Sequence, residues 1–430
     1  MKILFVSPGS GDGYFCGNCY RDNLLVQALH RAGHDVTVIP LYLPLRFMGQ
    51  HAGDAPVFFP ATTFYVEQKS HRRMPRWVRR MLDSAPALRI AAARSGTTSA
   101  AGMEEMTLSM IEGNDTAFRR HVDELIQWLH TMPRPDIIHL SSSLLMAVAQ
   151  PLKEALGIPV VCSLQDEEVW IDTLEPDCAR RAWQAIADGA RHVDHFVTSS
   201  HYYADIVRRR LPSLPPPTVI YPGVDISRYQ PADSKTGSPD FPTIGFFYRM
   251  NELDGLDILA DAFVILKKRN TIPGLQLRVG GGYMPTERKF LAGIRKTLRP
   301  YADDVIFDDS YTWNRHFEFY RQISVLSVPL RFGEGIGLYL CEAFAAGRPA
   351  VEPESGSFPE IIGDAGVTYR PNTPAALADA LERLLTSDEL MSRCSAAARR
   401  LSHERYNDTL TAEQLIQLYE SSLQSYLLTC

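Results

Sequence analysis

No run of about 18 consecutive apolar residues occurs in the sequence, which argues against a membrane-spanning helix. An excess of one charge is lacking too: a formal net charge of −6 leaves no footprint for a polyanion, so no nucleic-acid partner is expected. Cysteine is sparse and odd in number, seven scattered residues, which excludes a secreted disulfide framework. Only Cys16 and Cys19, in the order Cys-Gly-Asn-Cys, have suggestive spacing, and their neighbourhood supplies no second pair of zinc ligands. Reduced thiols shaping a turn at a helix start are therefore expected over redox or metal chemistry, and no metal is assigned. The opening MKILFVSPG has too short an apolar part for a signal peptide, which predicts a cytoplasmic protein.

What is present is the composition of a globular protein, 45% apolar and 22% charged over 430 residues, long enough for two or three domains. KILFVSP (2–8) is a continuous apolar run, NLLVQALHRAG (23–33) has helical spacing with Gly33 as a stop, and HDVTVI follows as a second strand. Strand, Gly-rich turn, helix and strand make a βαβ unit, with parallel strands and a right-handed crossover. Similar strands recur at 135–141, 158–165 and 192–200. The stretch 211–242, dense in Pro, Ser, Gly and Asp, reads as a domain boundary.

A second α/β set follows it. Its strand candidates are TIGFFYR, LQLRVGGG, DVIFDD, ISVLSVPL and RPAVEP, alternating with helices at 255–269, 286–298, 314–322, 338–346 and 374–385. The tail 408–429 reads as an amphipathic helix with no strand after it. The plan is an N-terminal domain at 1–215 with a helical insertion near 45–132, a second domain at 216–405, and a closing helix at 406–430. Within the insertion, 72–94 is basic and amphipathic; such a piece can lie on an anionic membrane, and a solvated helix walling a cleft is the plainer reading.

The chemistry concentrates in RFGEGIGLYLCEAFAAGRPAV (331–351). Buried glutamate is costly unless paired, so Glu342, inside an apolar run, must face something that it can hydrogen-bond. FGEGIG (332–337) leads straight into a helix, and its glycines with the free N–H groups of the helix start suit a phosphate. Glu334 and Glu342 would then accept hydrogen bonds from ribose or sugar hydroxyls; two ordinary helix-face glutamates are the plainer alternative. A hydrolytic dyad is disfavoured, because eight helical residues advance roughly 12 Å whereas glycosidase carboxyls stand about 5 to 9.5 Å apart. In a second Gly-rich turn, SPGSGDG (7–13), Gly11 and Gly13 can present N–H groups to an anion or a substrate, although the turn does not match the dinucleotide fingerprint. GGG (280–282) reads equally as a tight turn. Arg249, ending TIGFFYR, stands where a strand top aims it at a ligand.

These segments together resemble glycosyltransferase family 4, retaining and metal-independent transferases of the GT-B fold: ALHRAGHDVTVI (28–39), PDIIHLS (135–141), VIYPGVDISRYQP (219–231) and the paired glutamates of GEGIGLYLCEAFAAGRPAV. The resemblance implies an α/β fold of two Rossmann-like domains facing a central cleft, with a C-terminal helix returning to the first. It implies Glu334 beside the transferred sugar, Glu342 on the nucleotide ribose, and Arg249 with the backbone of Gly335, Ile336 and Gly337 on the donor diphosphate. Gln165, Asp166, His139 and Arg21 fall in the acceptor or sugar vicinity. The donor would be a UDP- or GDP-type nucleotide sugar, with no cofactor.

Two positions depart from the pattern: Asp254 stands where the family commonly has a lysine, and Gln165 where it often has a histidine. A carboxylate beside a diphosphate is repelled, so Asp254 is expected to turn away and cap the helix that starts at 255. The alternatives are a catalytically silent GT-B protein, favoured by those two departures, and a membrane-surface module, favoured by 72–94 alone.

Overall fold

A computed structural model describes residues 1–9, 17–41, 104–229, 239–308, 316–335 and 337–429, together with 46–47, 50–51, 75 and 78. Gly11, Gly13, Cys16, Ile336 and nearly all of the segment 72–94 lie outside the described residues. The chain divides into two compact units, Met1–Ile220 with Ala412–Cys430, and Tyr221–Thr411.

In the first unit, strands β1 (Lys2–Ser7), β2 (Asp35–Pro40), β3 (Ile137–Leu140), β4 (Val160–Leu164), β5 (His195–Thr198) and β6 (Thr218–Val219) form one sheet in the order β2-β1-β3-β4-β5-β6. Every neighbouring pair in it is parallel. A parallel sheet is covered on both faces, which is why its strands read as unbroken apolar runs. Successive residues of β1 serve opposite faces: Leu4 and Val6 enter one core with Leu140 and Cys162, while Ile3 and Phe5 enter the other with Leu29, Leu415 and Tyr419. The second face is thus closed by the helices Gly17–Arg31 and Asp408–Thr429, the latter from Ala412 onward. Of the region 45–132, the described residues form a short antiparallel pair, Arg46–Phe47 with Gln50–His51, and the helices Glu104–Glu112 and Thr116–Leu129, which enter the first core through Leu108, Phe118 and Leu125.

The second unit repeats the scheme with strands β7 (Thr243–Phe247), β8 (Gln276–Gly280), β9 (Val305–Asp308), β10 (Val325–Leu326), β11 (Ala350–Pro353) and β12 (Gly366–Tyr369). They are all parallel, in the order β9-β8-β7-β10-β11-β12. Strand β12 had no expectation in the sequence, being four residues long and opening on Gly366 just after Gly363. In each unit the order reverses next to the first strand, between β1 and β3 and between β7 and β10. Ligands of open α/β sheets bind beyond the carboxyl ends of strands at such reversals. Among the described residues no helix is long and apolar enough to cross a membrane.

Candidate active site

In the second unit, the chain leaving β7 carries Arg249 two residues past the strand end, and its loop is fixed against the one after β8 by Met250 N–H donating to Gly282 O at 2.8 Å. Gly281 has φ +112, and a Cβ there would stand 2.0 Å from Tyr248 O, so the close approach of the two loops requires glycine. Arg249 donates through Nε and Nη2 to Glu287 Oε1, both at 2.7 Å, while its Nη1 is buried with no hydrogen-bond partner.

Asp254 does not cap the helix Leu256–Arg269. The N-cap is Gly255, at φ +79, where the chain passes so close to β10 that a Cβ would lie 2.0 Å from Pro329 O. Asp254 instead turns inward: it is 5% exposed, with its N–H donating to Asn251 Oδ1 at 2.8 Å. Burial raises its acid to about 7, with Glu334 and Glu287 pushing the same way against Arg249.

Glu334 is 7% exposed on the loop before the helix Leu338–Ala345, and its carbonyl accepts Ser357 N–H at 2.8 Å. Its charge is felt by Asp254, by Tyr339 and by Glu352. Glu352, on β11, is wholly buried; both its oxygens accept from Val328 N–H, at 2.9 and 3.0 Å, and burial holds its acid well above the usual carboxylate range. Tyr339 lies on the ring of Tyr248, centroids 4.9 Å apart, with a buried hydroxyl that has no partner. The helix start itself, after Gly337 at φ +58, carries no side-chain cap, so its first N–H groups suit an anion.

Glu342, on the second turn of that helix, has different surroundings. Its carboxylate accepts from the hydroxyls of Tyr229 and Tyr320, each at 2.6 Å, and pairs with His316 Nε2 at 2.9 Å. Burial works to raise its acid, but His316 and the two hydroxyls outweigh it and hold the carboxyl below its usual range. The surroundings of Glu342 therefore favour the carboxylate, whereas those of Glu352 favour the protonated acid.

In the first unit the strand ends at the order reversal also gather polar groups. Asp22, on the helix Gly17–Arg31, accepts from Ser7 Oγ (3.3 Å) and Gln165 Nε2 (3.2 Å) and pairs with Arg21 (3.2 Å). Burial raises the Asp22 acid to about 6 against the opposing Arg21 charge. Gln165 also donates to Ser141 O and, through its N–H, to Glu167 Oε2 at 2.7 Å. Between them Asp166 takes φ +51, an uncommon conformation that Asp tolerates better than most residues. His139 stands apart from this group: it is completely buried in the sheet, against Phe5, between Ser163 Oγ at 2.8 Å and the Tyr419 hydroxyl of the closing helix. Burial, aided by the Arg21 charge, holds its imidazole neutral, down to about 3.

The fold brings Glu334, Arg249 and Asp254 together as neighbours of one loop system, and Arg21 with Gln165. Sequence reasoning missed Asp22, Glu287, Tyr339 and Glu352. Glu352 carries the same signal as Glu342, a carboxylate inside an apolar run, in RPAVEP. Among the described residues no group of three His, Cys, Asp or Glu could hold a metal ion.

Comparison with known proteins fits this geometry. A family model described as Glycosyltransferase Family 4 matches residues 107–228, and one described as Glycosyl transferases group 1 matches residues 241–387. Relatives include D-inositol 3-phosphate glycosyltransferases of Streptomyces bingchenggensis, 28% identical over 56% of this chain and 53% of that protein, and of Corynebacterium glutamicum, 27% identical over 48% of this chain and 52% of that protein. The chain thus spans about half the length of the curated relatives it matches. Anabaena HepE in complex with UDP superposes with a TM-score of 0.66 at 15% identity, over 98% of this chain and 100% of that one. The sucrose-phosphate synthase of Thermosynechococcus elongatus gives 0.70 at 17%, over 99% and 100%. At such identities these likenesses show the fold, GT-B, built of two Rossmann-like units. With the two family models together covering more than half of the sequence, the chain belongs to glycosyltransferase family 4.

Proposed function

We propose that the chain is a retaining glycosyltransferase that moves a sugar from a nucleotide-diphosphate-sugar donor to an acceptor, whether glycan, lipid-linked or small molecule. In this reading the second unit holds the donor: Arg249 and the backbone at 335–337 take the diphosphate, Glu342 the ribose hydroxyls, and Glu334 stands beside the sugar. Around Asp22, Arg21, Gln165 and Asp166 the first unit takes the acceptor. A diphosphate leaving group gathers charge as the glycosidic bond breaks, and fixed donors aimed at that charge are the largest single source of rate in such sites. UDP is the first nucleotide to try, since HepE was crystallised with it; GDP is the second.

The observation that supports this reading most is the buried, partnerless Nη1 of Arg249 at the order reversal of the second sheet, beside an uncapped helix start, in a chain of this family. Release of free nucleotide from UDP-glucose, GDP-mannose and ADP-glucose, with and without candidate acceptors, tests it through Glu334→Gln. The variant is expected to lose about a hundredfold in kcat while nucleotide affinity changes little. An unchanged kcat at saturating donor removes Glu334 from the site. A second reading, a nucleotide-binding chain without turnover, is favoured by the inward carboxyl of Asp254. Nucleotide binding without release from any donor selects it.

A further inference from the structure

The donor pocket of the second unit is crowded with acids. Among the described residues, Glu287, Glu334 and Asp254 stand near the cation Arg249, with the charge of Glu334 also reaching Glu352, and two of that guanidinium's nitrogens are already given to Glu287. A diphosphate arriving there would meet the Asp254 carboxylate, with Arg249, itself engaged by Glu287, as the cation acting on it. Yet two buried donors in the same pocket, Arg249 Nη1 and the Tyr339 hydroxyl, have no acceptor. Buried donors are rarely left so, and an oxygen-rich anion would satisfy both.

We propose that the donor diphosphate enters this pocket together with one proton, taken up by Asp254, so that its carboxylic acid joins Arg249 Nη1 and the Tyr339 hydroxyl in facing the phosphates as a hydrogen-bond donor. The proposal rests on the donor-site reading above. Besides burial, the groups that set the charge on Asp254 are Arg249 and a side-chain hydrogen bond with Asn251, which favour the carboxylate, and Glu334 and Glu287, which oppose it; Asn251 Oδ1 also accepts its backbone N–H, and the Asp254 charge is felt at Tyr339. With burial raising the acid to about 7, Asp254 is about half protonated near neutral pH before any ligand arrives. Adjacent phosphate charge raises an acid further, so binding draws in the missing half and more as pH rises.

Calorimetric titration of the full chain with UDP-glucose, GDP-mannose or ADP-glucose tests this, because their diphosphates do not titrate between about pH 6 and about pH 8.5, where the measurement is made. Comparing two buffers of different ionisation enthalpy counts the protons taken up. Affinity is expected to be flat at the acid end and to weaken about tenfold per pH unit at the alkaline end, with close to one proton taken up there. Asp254→Asn, a neutral near-isostere, is expected to bind with the acid-end affinity at every pH and to take up none. Tyr339→Phe is expected to weaken binding at all pH values and leave the slope intact. Binding with no proton uptake, or an Asp254→Asn protein that keeps the parent's slope, overturns the proposal while leaving the donor site standing. Failure of all three nucleotide sugars to bind at any pH overturns the donor reading and the proposal with it.

Discussion

Glu342 and Glu352 stand ten positions apart in the sequence, each in an apolar run, and the fold shifts their acids in opposite directions. The difference comes from partners that lie far off along the chain: Tyr229 is 113 residues from Glu342 and Tyr320 is 22, whereas Glu352 finds a backbone N–H and, among the described residues, no paired cation. A local pattern can say that a buried carboxyl needs a partner; it cannot say which. The two acids therefore pull stability in opposite directions with pH. Glu352, raised in the fold, favours folding fully below the ordinary glutamate value, and that contribution is lost as pH rises and the unfolded chain ionises. Glu342, lowered in the fold, contributes above the ordinary value and loses it in acid. Glu352→Gln should accordingly match the parent near pH 4 and become the more stable of the two as pH rises to 8, because the glutamine has no proton to lose. Urea midpoints across that range check it. A parent that gains on the variant as pH rises would show that Glu352 is ionised in the fold.

At the scale of elements, the long strand and helix rhythm was legible because parallel strands covered on both faces are apolar throughout: 243–247, 276–280 and 350–353 all fall inside runs that the sequence marks. Short elements escaped it. β10 is the two-residue core of the eight-residue run ISVLSVPL, and β12 has no run at all. The loop from Tyr248 to Gly255 was the consequential miss. Asp254 has a capping residue's composition and position, but the tight passage beside Pro329 demands a left-handed residue at the cap itself, and only Gly255 meets it without strain. Gly255→Ala should cost about 1 to 3 kcal/mol of stability and weaken nucleotide-sugar binding, since the loop carries both Arg249 and Asp254. Gly293→Ala, in the helix Arg288–Leu298 with open space at its Cβ, should instead gain about 0.5 to 1 kcal/mol. A Gly255→Ala protein as stable as the parent would remove the close approach as the reason for glycine.

For the molecule as a whole, two parallel sheets of the same design are laid out in one chain, each with its order reversed beside its first strand and polar groups collected at that reversal. The repetition was readable in the alternation of elements, and the loop of Glu334 in its glycines. Asp22 was not readable, because its importance arises where β1, β3 and β4 bring Ser7, Ser141 and Gln165 against it. In the proposed function, the second reversal is a nucleotide-diphosphate site organised by Arg249. Its most direct test is the thermal stability of the full chain with UDP, GDP and ADP in turn, in the parent and in Arg249→Ala, each compared with its own ligand-free state. At a hundred times its dissociation constant, a nucleotide that binds the parent should add about 2.7 kcal/mol, and the same concentration should add little to the variant. Equal stabilisation of parent and variant would remove Arg249 from the nucleotide site, and none of the parent by any of the three would remove the site itself.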